Sequence, residues 1–147
     1  LRPRSRSEVL LKSSDFTVPP RIVSRLLQDP DDVHRLLDGF KMARAIFKSK
    51  AFASHDRGPC QPGASVNSDD EIIAYFREQA EGGYHPAGSC RMGIGEDAVV
   101  DKALKVHGVS GLRVADASIM PTVTSGNTNA PSIMIGERAS AFILSEA

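Results

Sequence analysis

The tetrapeptide Asp29-Pro30-Asp31-Asp32 constrains the fold of this chain most, because it marks where a long helix begins. Aspartate at the cap accepts from free N–H groups, and proline suits the first helical position. Two more acids complement the positive end of the dipole. Behind this start, Val33, Leu36, Leu37, Phe40, Ala43, Ile46 and Phe47 recur at helical spacing. They predict one apolar face on a helix ending near Lys48. Ser68-Asp69-Asp70-Glu71 is a capping box for a second helix. Its apolar side is Ile72, Ile73, Phe76 and Ala80, and Gly82-Gly83 ends it.

The rest reads as short pieces. Glu8 to Lys12 predicts a strand, and Asp15 to Pro20 a turn or linker. Arg57 to Val66, punctuated by Gly58, Pro59, Pro62 and Gly63, predicts a loop. The texture changes near Gly93–Gly95. Val99-Val100-Asp101 and Leu104-Lys105-Val106 then predict short strands around a turn. Gly111 leads into an apolar strand, Leu112 to Asp116. A last helix runs from Asn129 or Ala130 to Leu144, packed through Ile133, Met134, Gly136, Ala141 and Leu144. The mixture predicts an α+β or α/β fold.

Charge excludes one class of function. Eighteen basic and eighteen acidic residues cancel, which argues against a nucleic-acid-binding surface. The cluster Arg2, Arg4 and Arg6 reads as a solvated flank. Cys60 and Cys90 make no disulfide framework, and their spacing to the four histidines fits no zinc pattern. A reducing, cytoplasmic setting is therefore expected, with no transmembrane run and no secretory signal. The chain opens on Leu1 in mid-pattern and is expected to be a fragment or excised domain.

The chemistry-bearing stretch is Tyr84-His85-Pro86-Ala87-Gly88-Ser89-Cys90-Arg91-Met92-Gly93. Pro86 restricts His85 to extended angles, and Gly88 permits a tight bend. A neutral imidazole held this way can take a proton from an alcohol near pH 7. A buried histidine with purely structural hydrogen bonds explains the residue equally well at this point. Ser125-Gly126-Asn127-Thr128-Asn129 opens the last helix. Asn129 is a natural N-cap, while Asn127 is placed to hydrogen-bond a reacting oxygen, with the helix end facing negative charge. Asp116, followed by Ala117, either meets a ligand at a strand end or caps a turn. Ser65, Ser89 and Ser125 sit in no nucleophile elbow, which disfavours a serine hydrolase. A metal-dependent hydrolase using His85 and Cys90 lacks a second ligand pair. An inert domain that only packs against a partner is the other alternative.

Together these motifs resemble the C-terminal domain of the glucose–methanol–choline (GMC) oxidoreductases, near their choline dehydrogenase and alcohol dehydrogenase (acceptor) branch. The resemblance covers nearly the whole chain. It is carried by the Arg-rich start, Asp29–Asp32, Tyr84–Gly93, Gly111–Pro121 and Gly126–Glu137. It implies an α+β fold, the C-terminal portion of a larger two-domain flavoenzyme. Residues 1–93 would form the substrate-side part, and 94–147 the segment returning to complete the FAD-binding α/β domain. It implies FAD as cofactor and a small primary alcohol as substrate, oxidised to an aldehyde. His85 would take the hydroxyl proton, and Asn127 would hydrogen-bond the same oxygen. Thr128 and Asn129 would lie near the flavin pyrimidine, and Asp116 and Ala117 along its ribityl-diphosphate region. No Gly-rich dinucleotide fingerprint occurs in this chain, so most FAD contacts would come from an N-terminal portion not present here. The chain alone would be incomplete and inactive, and its electron acceptor is left open.

Overall fold

The computed structural model describes residues 2–58 and 61–146. The expectations placed on Leu1, Pro59 and Cys60 fall outside them. The chain divides into two compact units. The first holds Glu8–Ile22 and everything from Gly82 onward, joined by Arg2 and Pro3. The second holds Arg4–Ser7 and Val23–Glu81. The texture change at Gly93–Gly95 therefore lies inside the first unit, and the contact boundary comes earlier, at Glu81–Gly82.

In the second unit, helix α1 (Pro30–Phe47) starts as its sequence dictates. The Asp29 carboxylate accepts from the Asp31 N–H at 2.9 Å, and Pro30 occupies the first position. Only part of the expected face is covered. Val33 and Leu37 are buried and Phe40 is half-buried, whereas Leu36, Ile46 and Phe47 are 41%, 49% and 57% exposed. Helix α2 (Asp69–Gln79) carries the full capping box. The Glu71 carboxylate accepts from Ser68 and Asn67 N–H, and these bonds hold it below the usual glutamate range. Ile72, Phe76 and Leu37 make the core of this unit, with Phe40 edge-on to Phe76 at 5.5 Å. Arg44 ties the loop down. Its guanidinium lies over the Phe40 ring and donates to the Val66 carbonyl at 2.7 Å.

Asp32 does more than complement the helix dipole. It is buried, and its carboxylate accepts from Arg4 N–H (2.8 Å), Ser5 N–H (2.7 Å) and the Ser5 hydroxyl (2.6 Å). Burial pushes this carboxyl up. The Ser5 hydroxyl and the two N–H groups outweigh that and hold it below the ordinary value of 3.8. Its stabilising contribution is complete above that value and is lost as pH falls through the lowered one. Asp32→Ala is expected to cost about 3 kcal/mol at neutral pH, since hydrogen bonds to a charged group are worth roughly 1.5–3 each. Urea melts of the two chains check this, and the gap should shrink below the ordinary aspartate range. Equal midpoints at neutral pH would contradict it.

In the first unit, β1 (Glu8–Leu10) and β2 (Arg21–Val23) pair as a small ribbon whose second strand spans the unit boundary. The sequence pattern did not foresee β2. The connecting turn closes on Asp15, which accepts from Thr17 N–H and hydroxyl. The three strands expected after Gly95 are single bridges instead: Met92 with Val100, Val100 with Val106, and Lys105 with Arg113. The Asp101 carboxylate explains this. It accepts from Ala103 and Lys105 N–H at 2.8 and 2.9 Å, and Leu104 sits at φ 66°. The chain doubles back too tightly for a ladder to extend.

Helix α3 (Asn129–Leu144) lies where expected, but it buries a different face. Ile135 and Ala139 are buried, with Phe142 packed beside them. Ile133, Met134 and Leu144 are 61%, 55% and 74% exposed, and Gly136 and Ala141 are also exposed. A helix apolar around most of its circumference carries no strong preference by period alone, so its packing partners choose the stripe. Here the partners are Val100, Leu104, Ile119 and Met120.

Candidate functional site

The segment 84–93 is held against a 3-10 turn, Ala117–Ile119. Cys90 N–H donates to the Ser118 carbonyl at 3.0 Å, and Met92 N–H to the Ile119 carbonyl at 2.8 Å. Gly88 has φ 90°, and a Cβ there would meet the Met120 carbonyl oxygen at 3.1 Å. Only glycine combines that angle with that approach. At the other end Tyr84 adopts φ 62° and points into solvent, an uncommon conformation for a bulky residue. His85 is thus fixed between a left-handed residue and a proline.

The imidazole of His85 is half-buried and meets Thr128. Its Nδ1 lies 2.8 Å from Thr128 Oγ1 and 3.4 Å from Thr128 N. The contact with Thr128 engages Nδ1 and not Nε2. Thr128 is itself buried, and its carbonyl accepts from Ser132 N–H (3.0 Å) and hydroxyl (2.6 Å). The cap of α3 therefore differs from expectation. Thr128, not Asn129, holds the N-cap position, and no side chain caps the helix. Asn129 is the first helical residue, and Asn127 and Asn129 are both exposed. Asn127 stands one residue from the histidine's partner.

Asp116 caps the 3-10 turn, its carboxylate accepting from Ser118 N–H at 2.7 Å, and it does not end a strand. Ala117 is half-buried against the core. His107 bonds the Gly93 carbonyl through Nε2 at 3.0 Å, which fits a turn residue. Among the described residues no group of three or more His, Cys, Asp or Glu side chains converges. Nor is any helix among them long and apolar enough to cross a membrane.

Among the described residues, His85 lines neither of two hollows in the first unit. One, about 540 Å³, lies between Gly108–Leu112 and the ion pairs of Glu146 with Lys105 (2.8 Å) and Arg113 (2.7 Å). These partners, Lys105 first, hold the Glu146 carboxyl below its usual range. The other, about 230 Å³, is apolar, between Met92, Leu104, Ile119, Ile135 and Phe142. The sequence did not reveal the pairing of His85 with Thr128. A threonine between two asparagines at a helix start was the available signal, but no local pattern reveals a partner 43 residues away.

A family model described as GMC oxidoreductase matches residues 3–136. The chain is similar to an alcohol dehydrogenase [acceptor] of Pseudomonas putida, with 46% identity over 144 residues. The match covers 98% of this chain and 26% of the relative. It is 48% identical over 144 residues to an oxygen-dependent choline dehydrogenase of Sinorhizobium medicae, covering 96% and 26%. Among solved structures, an FAD-dependent oxidoreductase from Chaetomium thermophilum superposes with a TM-score of 0.89 at 33% identity, covering 99% of this chain and 26% of that one. Pyridoxine 4-oxidase from Mesorbium loti does so at 0.86 and 31%, covering 95% and 27%. The chain thus spans about a quarter of the length of these relatives.

Proposed function

Because the chain belongs to the GMC oxidoreductase family, we propose that it is the C-terminal portion of an FAD-dependent oxidoreductase acting on CH–OH groups. The reaction is oxidation of a primary alcohol to an aldehyde. Residues 1–93 serve the substrate side, and 94–147 return to complete the FAD-binding domain. An N-terminal portion supplies the dinucleotide fingerprint, so the chain alone is inactive. The complete enzyme works in the cytoplasm.

The residues at the α3 start fit the cofactor. Helices α1 and α2 carry acids in their first turns and side-chain caps, whereas α3 has neither. Its positive end is therefore open to an anionic group, with Thr128 and Asn129 in place to hold it. Asp116 and Ala117 would flank the more distant part of FAD. When bound, FAD supplies the acceptor for the hydride leaving the substrate carbon.

This chain's own residues manage the oxygen. Nε2 of His85 takes the hydroxyl proton as the C–H bond delivers its electron pair, and the C=O bond forms. The Asn127 amide donates to the same oxygen and stabilises its developing negative charge. The observation that supports this reading best is the 2.8 Å contact of His85 with Thr128, which joins the histidine segment to the helix start. The test is anaerobic mixing of the complete enzyme with a primary alcohol. Bleaching of the flavin absorbance with stoichiometric aldehyde is expected. A flavin left oxidised by every primary alcohol tried would refute the proposal.

A further inference from the structure

We propose that Thr128 is a positioning residue that selects the reactive tautomer of His85, an inference that depends on the base role just given. The argument starts from a threonine in a cap position that does not cap. Thr128 is the N-cap residue of α3, where a hydroxyl ordinarily accepts from the helix's own N–H groups. Its hydroxyl makes no such bond and instead lies 2.8 Å from His85 Nδ1.

Two groups of Thr128 face that nitrogen. The backbone N–H can only donate, so it favours a bare Nδ1 with the proton on Nε2. The hydroxyl can donate or accept, so it also suits Nδ1–H, the form that leaves the Nε2 lone pair open. The hydroxyl contact, at 2.8 Å, is within normal hydrogen-bond range. The N–H contact, at 3.4 Å, is beyond it. The base role needs the Nε2 lone pair, and in that form of the ring Nδ1–H donates to the nearer group, Oγ1. This arrangement also suits the next state. Once Nε2 has taken a proton, the imidazolium keeps the same bond, now charge-assisted. Burial of Thr128 keeps water from competing for Oγ1, and the two bonds from Ser132 hold its backbone in place. The arrangement parallels the orienting carboxylate of a hydrolase triad, with a neutral hydroxyl in that place.

The test compares three variants of the complete flavoenzyme. Thr128→Val keeps the shape and the N–H but removes the hydroxyl. Flavin reduction at saturating alcohol is expected to slow by about tenfold or more, as losing an orienting partner does elsewhere. The apparent affinity for the alcohol should stay unchanged. Thr128→Ser restores the hydroxyl and is expected to restore the rate. A wild-type rate in Thr128→Val, with His85→Ala strongly impaired, overturns the positioning role alone. A wild-type rate in His85→Ala overturns the base role itself. Should Thr128→Val fail to hold FAD, nitrogen NMR of the histidine-labelled wild-type enzyme decides. A protonated, pyrrole-like Nδ1 on His85 supports the proposal, and a protonated Nε2 overturns it.

Discussion

Replacing His85 by alanine in the complete enzyme is expected to slow reduction of the bound flavin by about 10²–10⁴-fold, the range that a positioned general base contributes. The prediction combines a fixed backbone, an anchored Nδ1 and an Nε2 left for chemistry. Fixation comes from Pro86, from the left-handed Tyr84 and from the bonds of Cys90 and Met92 to the 3-10 turn. Stability should hardly change. His85 is half-buried, and a single hydrogen bond is worth about 1 kcal/mol net. Stopped-flow traces under anaerobic conditions separate the two effects, because bound flavin reports folding while its bleaching reports chemistry. Unaltered reduction would remove His85 from the mechanism.

Gly88→Val is expected to destabilise the chain by about 3 kcal/mol or more. A β-branched residue at φ 90° pays for strain of roughly 1–3 kcal/mol, and forced repacking adds a similar amount. The overlap is with the Met120 carbonyl, a backbone atom that cannot swing aside. Relief would have to come from moving segment 84–93 off the 3-10 turn, breaking the bonds of Cys90 and Met92. The variant should therefore lose stability in urea melts and, in the complete enzyme, lose rate as well. Gly82→Ala is the matched control, since its added Cβ meets nothing within 4 Å. If the two variants melt alike, the close approach at Gly88 has no energetic weight.

Local chemistry made much of this fold legible. Asp29 with Pro30, and Ser68 with Glu71, mark helix starts through bonds that span two or three residues. Both helices begin where those residues require. The α3 bounds were nearly as readable, because Pro131 is tolerated in a first helical turn and the apolar residues run out at Leu144. The buried face of α3 was not. Ile133 and Ile135 are equally apolar, and only contact with Ile119 and Val100 buries the second and exposes the first. The bridges after Gly95 failed to become strands for a similar reason. β-branched residues suit a ladder, but the Asp101 carboxylate gathers two N–H groups into a turn.

The same division runs through the site. Residue identity alone determined that His85 sits on a stiff, extended segment and that a helix begins after Asn127, because proline geometry and helix initiation act within a few residues. Family membership was also readable there, as motifs are written in residue types and order. Only the folded chain decided that Thr128 abandons its cap to meet the imidazole, and that Asp32 gathers the N–H groups of Arg4 and Ser5. Such pairings join residues 43 and 27–28 positions apart, and the free energy selecting them comes from burial and packing that no short window contains.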